Sequence, residues 1–160
     1  MKTCCFTGHR QISRDHLNRL PALLEKEILQ LLDAGVTVFR NGGAIGFDTV
    51  AALKVIAMRQ RYPQMELEMW LPCRNQDAHW PPDQRECYAY ILSQADRVHY
   101  ISDVYTRSCM LERDRRMVDG SDVCVAYCVR TEGGTGYTCQ YALKKGVELR
   151  NLAHRIGKIG

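Results

Sequence analysis

Nowhere does this chain hold an apolar run long enough to cross a bilayer. Its first residues also lack the apolar core and small-residue cleavage site of an export signal: Met1-Lys2-Thr3 leads through Cys4-Cys5-Phe6 into the polar Thr7-Gly8-His9-Arg10. A cytoplasmic protein with no membrane association is expected. No Cys-x-x-Cys pair occurs, Cys124 and Cys128 are separated by three residues, and the five histidines are scattered. That spacing argues against a zinc site, so no metal and no required cofactor is expected. The cysteines at Cys4, Cys5, Cys124 and Cys128 fall where strands belong, which suits buried reduced thiols better than disulfides. Aromatic residues are few, at 8% of the chain, and the excess of positive charge is only +4. Neither figure implies a nucleic-acid partner, while the charge permits an anionic small ligand. What remains is ordinary for a globular protein, 46% hydrophobic and 25% charged over 160 residues. That length buries one core, so a single domain is expected over 1–151, followed by a short basic tail, 152–160, that frays.

Strand-like and helix-like segments alternate along the chain. Lys2 to Phe6, Val36 to Arg40, Met65 to Leu71, Val98 to Ile101, Val123 to Tyr127 and Val147 to Arg150 read as strands, the third ended by Pro72. Between them run helical patterns. The first is capped by Ser13 and carries Leu17, Leu20, Leu24, Ile28, Leu31 and Leu32 before Gly35 stops it. Such alternation predicts an α/β fold with a mainly parallel sheet of about six strands and helices on both faces. In that architecture ligands bind outside the carboxyl ends of the strands, where neighbouring connections diverge.

Three outgoing loops carry the residues such a site needs. The first strand ends in Thr7-Gly8-His9-Arg10, a backbone donor with an imidazole and a guanidinium; the second in Gly42-Gly43-Ala44-Ile45-Gly46-Phe47-Asp48; the fifth in Gly133-Gly134-Thr135-Gly136-Tyr137-Thr138, ahead of a helix. Glycines admit a ligand close to bare backbone, and a helix start offers N–H groups and the positive end of its dipole to a phosphate or carboxylate. Taken alone, the last loop is equally a chain-reversing turn, and Thr7-Gly8-His9-Arg10 is more readily a turn whose His and Arg are solvated. Their convergence on one rim favours an anion site. Asp48 suits a helix cap better than a ribose-hydroxyl ligand, and Trp80 suits a loop anchor better than a base-stacking platform. Arg113 shares a helical face with Met110 and Met117 and is expected to point inward, toward an anion.

Together with Met117-Val118-Asp119-Gly120-Ser121-Asp122, these motifs resemble the YpsA-like branch of the SLOG superfamily over nearly the whole chain up to the sixth strand. The resemblance implies a Rossmann-like three-layer fold and a nucleotide-derived ligand, and adds Ser121 and Asp122 to the candidate site. Relative to the phosphoribohydrolase branch, Met110-Leu111-Glu112-Arg113 and Gly133-Gly134-Thr135-Gly136 match. Glu132 stands in place of proline, Tyr137 in place of threonine, and Gln140 in place of the glutamate that acts in catalysis. An amide keeps the shape of a carboxylate without its charge, so binding is expected to survive and hydrolysis to be lost, unless Asp48 or Glu132 substitutes.

The expected function is binding or sensing of a nucleotide or nucleotide-sugar of the ADP-ribose or NAD-derived kind. The phosphate would sit at Gly133, Gly134, Thr135 and Gly136 with help from Arg113 or Arg10. The sugar side would be Gly42, Gly43, Gly46 and Asp48, and Trp80 or Tyr137 would cover the base. Thr7, Gly8, His9 and Thr138 complete the candidate set. The alternatives are base release from a nucleoside monophosphate and, more weakly, single-stranded DNA binding in the manner of DprA through Arg115, Arg116, Lys144, Lys145 and the tail. The apolar helices allow a homodimer without requiring one.

Overall fold

The computed structural model describes residues 2–159, with side chains described through residue 156. Strands and helices alternate strictly: β1 (Thr3–Gly8), α1 (Arg14–Asp33), β2 (Val38–Asn41), α2 (Phe47–Arg59), β3 (Glu66–Cys73), α3 (Pro82–Gln94), β4 (Arg97–Ser102), α4 (Cys109–Asp119), β5 (Val123–Tyr127), α5 (Gly133–Lys144), β6 (Glu148–Asn151) and α6 (Leu152–Ile159). The six strands form one sheet in the order β4-β3-β2-β1-β5-β6, every pair parallel. The architecture is the parallel α/β fold that the alternation predicted, in the Rossmann-like form that the resemblance implied.

Because successive strand side chains point to opposite faces, β1 and β5 each feed two cores. Cys4, Phe6, Val123, Val125 and Tyr127 join the larger core with α1, α2, α3 and α6. Cys5 and Cys124 face the smaller one, with Met117 and Val118 of α4 and Ala142 of α5. On α1 the repeat of Leu20, Leu24, Ile28 and Leu31 is fully buried, and Ser13 caps the helix by accepting the His16 N–H at 3.3 Å. All eight cysteines are free thiols.

Three sequence expectations are corrected. Pro72 does not end the third strand, which runs on to Cys73. Pairing with β2 stops at Asn41 opposite Met69, so the residues beyond have no β2 partner awaiting a proline N–H. The segment from Gly133 to Gly136 is the first turn of α5 rather than a loop before it. The tail does not fray over its described part: α6 buries Leu152, Ala153 and Ile156 in the larger core. Arg150 of β6 and Arg155 of α6 both pair with the fully buried Glu27 of α1, which fastens the end of the chain to the first helix. Residue 160 of the expected tail lies outside the described residues.

Candidate functional site

The chain steps outward from β1 through β2 and β3 to β4, then returns to place β5 on the other side of β1. The connections leaving β1 and β5 therefore diverge, and a crevice opens between them at the carboxyl ends. There the structure has a cleft of about 570 Å³. Its floor is the end of β1 from Phe6 to Gly8, one wall is the start of α5, and the opposite wall is Ala44 and Asp48 with the first turns of α4.

The α5 wall is bare backbone. Glu132 occupies the cap position with an extended backbone and makes no side-chain cap bond. The leading N–H groups have no acceptor within the helix, by the geometry of any helix start. Gly133 sits at φ +85°, a conformation that disfavours a side chain, and a Cβ on either Gly133 or Gly134 would meet nothing within 4 Å. Open space thus lies before two residues of a helix N-terminus. Gly136 serves a different purpose. A Cβ there would come 2.0 Å from the Thr131 carbonyl oxygen, so its glycine lets the preceding loop close onto the helix.

Arg113 points inward and is buried, as its spacing predicted, but its guanidinium is held by the protein itself. It donates to the Gly42 carbonyl, to Asp114 Oδ1 at 2.6 Å and to the Trp70 carbonyl at 3.4 Å. A Cβ on Gly42 would lie 2.6 Å from that guanidinium, so Gly42 makes room for arginine. Asp114 also accepts from the buried Thr138 hydroxyl at 3.2 Å, which links α4 to α5.

Asp48 does not cap α2. Gly46 is the cap residue, and Asp48 Oδ2 instead accepts the Ala44 N–H at 3.1 Å, inside the preceding turn. Its Oδ1 is buried and without a hydrogen-bond partner among the described residues. Burial pushes the Asp48 carboxyl up to about 7, against the opposing pull of the Arg113 guanidinium and the Ala44 N–H. His9 is also buried, and Nε2 accepts the Val129 N–H at 2.9 Å. Burial, followed by the Arg130 charge, lowers its affinity for a proton, which fits a neutral ring with Nε2 as acceptor. The exposed guanidinium of Arg10, 3.9 Å from Met110 Sδ, and the exposed Arg130 supply positive charge at the mouth.

Of the candidate residues, Thr7, Gly8, His9, Arg10, Asp48, Arg113, Gly133, Gly134 and Thr135 line this one cleft. Gly42 and Gly43 are buried behind Arg113 and Gln76. Gly46 and Trp80 line an adjoining pocket, where Trp80 packs edge-on against Tyr88 at 5.1 Å as a loop anchor. Gly136 and Thr138 are buried in the body of α5, while Tyr137 stacks on Tyr141 along its outer side. Gln140 is exposed and outside the cleft lining.

Ser121 and Asp122 are withdrawn from the candidate site. They precede β5 and so stand at the amino end of the sheet. There Asp122 Oδ2 accepts the Lys2 and Thr3 N–H groups at 2.8 and 2.9 Å, bonds that hold its carboxyl below the usual range. Ser121 donates to the Met117 carbonyl. Sequence reasoning missed Asp114, Arg130, Ala44 and Gln11. Asp114 adjoins an arginine already singled out and Arg130 precedes the glycines by three residues, but neither matches a motif.

A model of the YspA SLOG family matches residues 4–154. The chain is 29% identical over 161 positions to a UPF0398 protein of Bacillus cereus strain B4264, covering 94% of this chain and 87% of that one. It is 27% identical, with the same coverage, to a UPF0398 protein of Bacillus thuringiensis strain Al Hakam. Among solved structures, DNA processing protein A (DprA) of Streptococcus pneumoniae superposes with a TM-score of 0.66 at 16% identity, over 92% of this chain and 49% of that one. The chain thus spans about half the length of the pneumococcal protein. The Helicobacter pylori protein of the same name, which binds single-stranded DNA, gives 0.65 at 17% identity over 99% and 72% of the two chains. TM1055 gives 0.58 at 16% identity over 99% and 81%. At these identities the structural likenesses establish the fold.

Proposed function

Because this chain belongs to the YspA SLOG family, we propose that its cleft binds a nucleotide or nucleotide-sugar of the ADP-ribose or NAD-derived kind, in a signalling or regulatory role. The observation that carries the reading is the uncovered first turn of α5. Gly133 and Gly134 present bare backbone to open space in the same cleft as Arg10 and Arg130. A helix start of this kind favours a phosphate through its N–H groups and its dipole. Across the cleft, the Asp48 carboxyl keeps Oδ1 without a hydrogen-bond partner among the described residues, suited to a sugar hydroxyl. Binding without base release is the simpler reading, since the amide of Gln140 is neither acid nor base and lies outside the cleft lining; Asp48 and Glu132 do line it, and base release through one of them is the alternative.

The test is a thermal-shift panel of AMP, ADP-ribose, NAD and inorganic phosphate on the full chain and on Gly134→Asp. An acidic residue in the first turn of a helix is favourable to the helix, so the variant is expected to keep its melting midpoint without ligand. It is expected to lose the ligand-induced rise, which in the intact chain reflects a stabilisation of about 2.7 kcal/mol at a hundredfold excess over Kd. No rise with any nucleotide sinks the reading. Chromatography of the incubated AMP adds a second readout, since released adenine would make the protein a phosphoribohydrolase.

Single-stranded DNA is the second reading, favoured by one surface feature. On the outer side of α5, Tyr137 and Tyr141 stack with centroids 6.3 Å apart, and Lys145 Nζ lies 5.5 Å over the Tyr141 ring. Aromatic platforms beside cations suit unpaired bases.

A further inference from the structure

A second cavity, of about 370 Å³, adjoins the cleft, and Arg10 lines both. It lies between the start of α1, the β2–α2 turn and α3, and its character is the reverse of the cleft's. Ile12, Ile45, Val50 and Trp80 make its walls apolar. Among them Gln84 places Oε1 in a buried position with no hydrogen-bond partner among the described residues. Turning the amide over would leave an unpaired donor there in place of an unpaired acceptor, and either costs free energy until a ligand answers it.

The partition between the two spaces is fixed by backbone packing. Gly46 sits at φ +89°, where a Cβ would lie 2.3 Å from the Arg10 carbonyl oxygen. Next to it the Phe47 N–H donates to the His9 carbonyl at 3.1 Å. The β2–α2 turn is thereby locked against the residue whose guanidinium stands between the two spaces.

We propose that this second cavity is the base subsite of the ligand whose phosphate lies at α5: a flat aromatic nitrogen heterocycle, a nucleobase, seated against Ile12, Val50 and Trp80 with its polar edge on the Gln84 amide. The proposal rests on the reading of the cleft as the phosphate end. A planar ring buries apolar faces against the walls while its edge satisfies an amide that the protein leaves unpaired. Arg10, exposed between the two halves, lies where the ribose of such a molecule joins its phosphate. The molecule recognised is then a whole nucleotide, and a bare sugar phosphate fills only the polar half.

Isothermal titration of the full chain with AMP and with ribose 5-phosphate separates the two readings. The intact protein is expected to bind AMP at least tenfold more tightly than ribose 5-phosphate. Val50→Phe, which fills the cavity, and Gln84→Leu, which removes the lining amide, should each bring AMP to within about threefold of ribose 5-phosphate while leaving the latter unchanged. A Trp70→Phe background leaves Trp80 as the sole indole, whose emission should change with AMP and not with ribose 5-phosphate. Should Val50→Phe fail to fold, Gln84→Leu and the Trp80 emission decide alone. Unchanged AMP affinity in the variants, with ribose 5-phosphate still bound, overturns the base subsite and leaves the phosphate site standing. Failure of the intact chain to bind either probe overturns the phosphate site and the subsite with it.

Discussion

Asp48 is the residue whose sequence role changed most. A carboxylate two residues past a glycine at the start of a helix ordinarily caps it, and the sequence favours that use. Instead the side chain turns back to the Ala44 N–H, leaving one oxygen buried and unpaired beside Arg113. Its folded-state pKa of about 7 lies above the ordinary carboxylate value near 3.9, so the folded protein holds this proton more tightly than the unfolded chain does. The stabilisation is therefore fully present below about pH 4 and is lost as pH rises through about 7. Asp48→Asn removes that dependence. Without ligand, its stability advantage over the natural chain is expected to widen by about 2 kcal/mol between pH 5 and pH 8, measured by urea unfolding. A gap that stays constant across that range would mean that Asp48 is charged throughout. Arg113 teaches a related lesson. Helical spacing revealed its inward direction, but not that the Gly42 carbonyl and Asp114 would be its partners, since both are brought to it by separate elements.

At the scale of elements, α5 and α6 were the helices misread. Glycine is a poor helix former, so three glycines in four residues read as a loop. Those positions are nonetheless helical in the fold, because Gly136 alone lets the Thr131 carbonyl approach and the chain needs no side chain before the cleft. The α6 segment is short and includes Gly157, a poor helix former, and an isolated helix of that length is marginal in water. Tertiary contacts supply what propensity lacks: Leu152 and Ile156 enter the core, and Glu27, buried on α1, meets Arg155. Leu152→Ala should accordingly lower stability by about 2 to 5 kcal/mol in urea unfolding, as for other buried leucines. A change near zero would return the segment to a frayed tail. Pro72 shows the same limit on local reasoning, for a proline stops a strand only where a partner strand awaits its N–H.

For the molecule as a whole, the two binding readings differ in how they depend on salt. A nucleotide held in the cleft makes few ionic contacts, so its affinity should change by no more than about threefold between 50 and 200 mM salt, and Tyr137→Ala should leave it unaltered. Single-stranded DNA on the outer side of α5 would lose affinity with a log–log slope of about −0.7 per phosphate neutralised, and would weaken further in Tyr137→Ala. Anisotropy of a labelled oligothymidylate beside titrations of ADP-ribose reads both. A steep slope and sensitivity to Tyr137, with no nucleotide binding, would establish the DNA reading and end the nucleotide one.

The order of strands and helices, and with it the parallel sheet, was readable along the chain because each rests on periodicities of two and 3.6 residues that are local. So was the rim that carries the candidate site, since outgoing loops of parallel strands emerge on one side. The choice among residues on that rim was not. Ser121 and Asp122 belong to a familiar motif yet stand at the amino end of β5, tied to the start of β1. Arg10 lines both the polar cleft and the apolar cavity because Gly46 packs against its backbone from across the crevice. Local sequence determines which way a side chain leaves its own element; what it meets there depends on how closely the neighbouring elements approach, and long-range packing alone sets that distance.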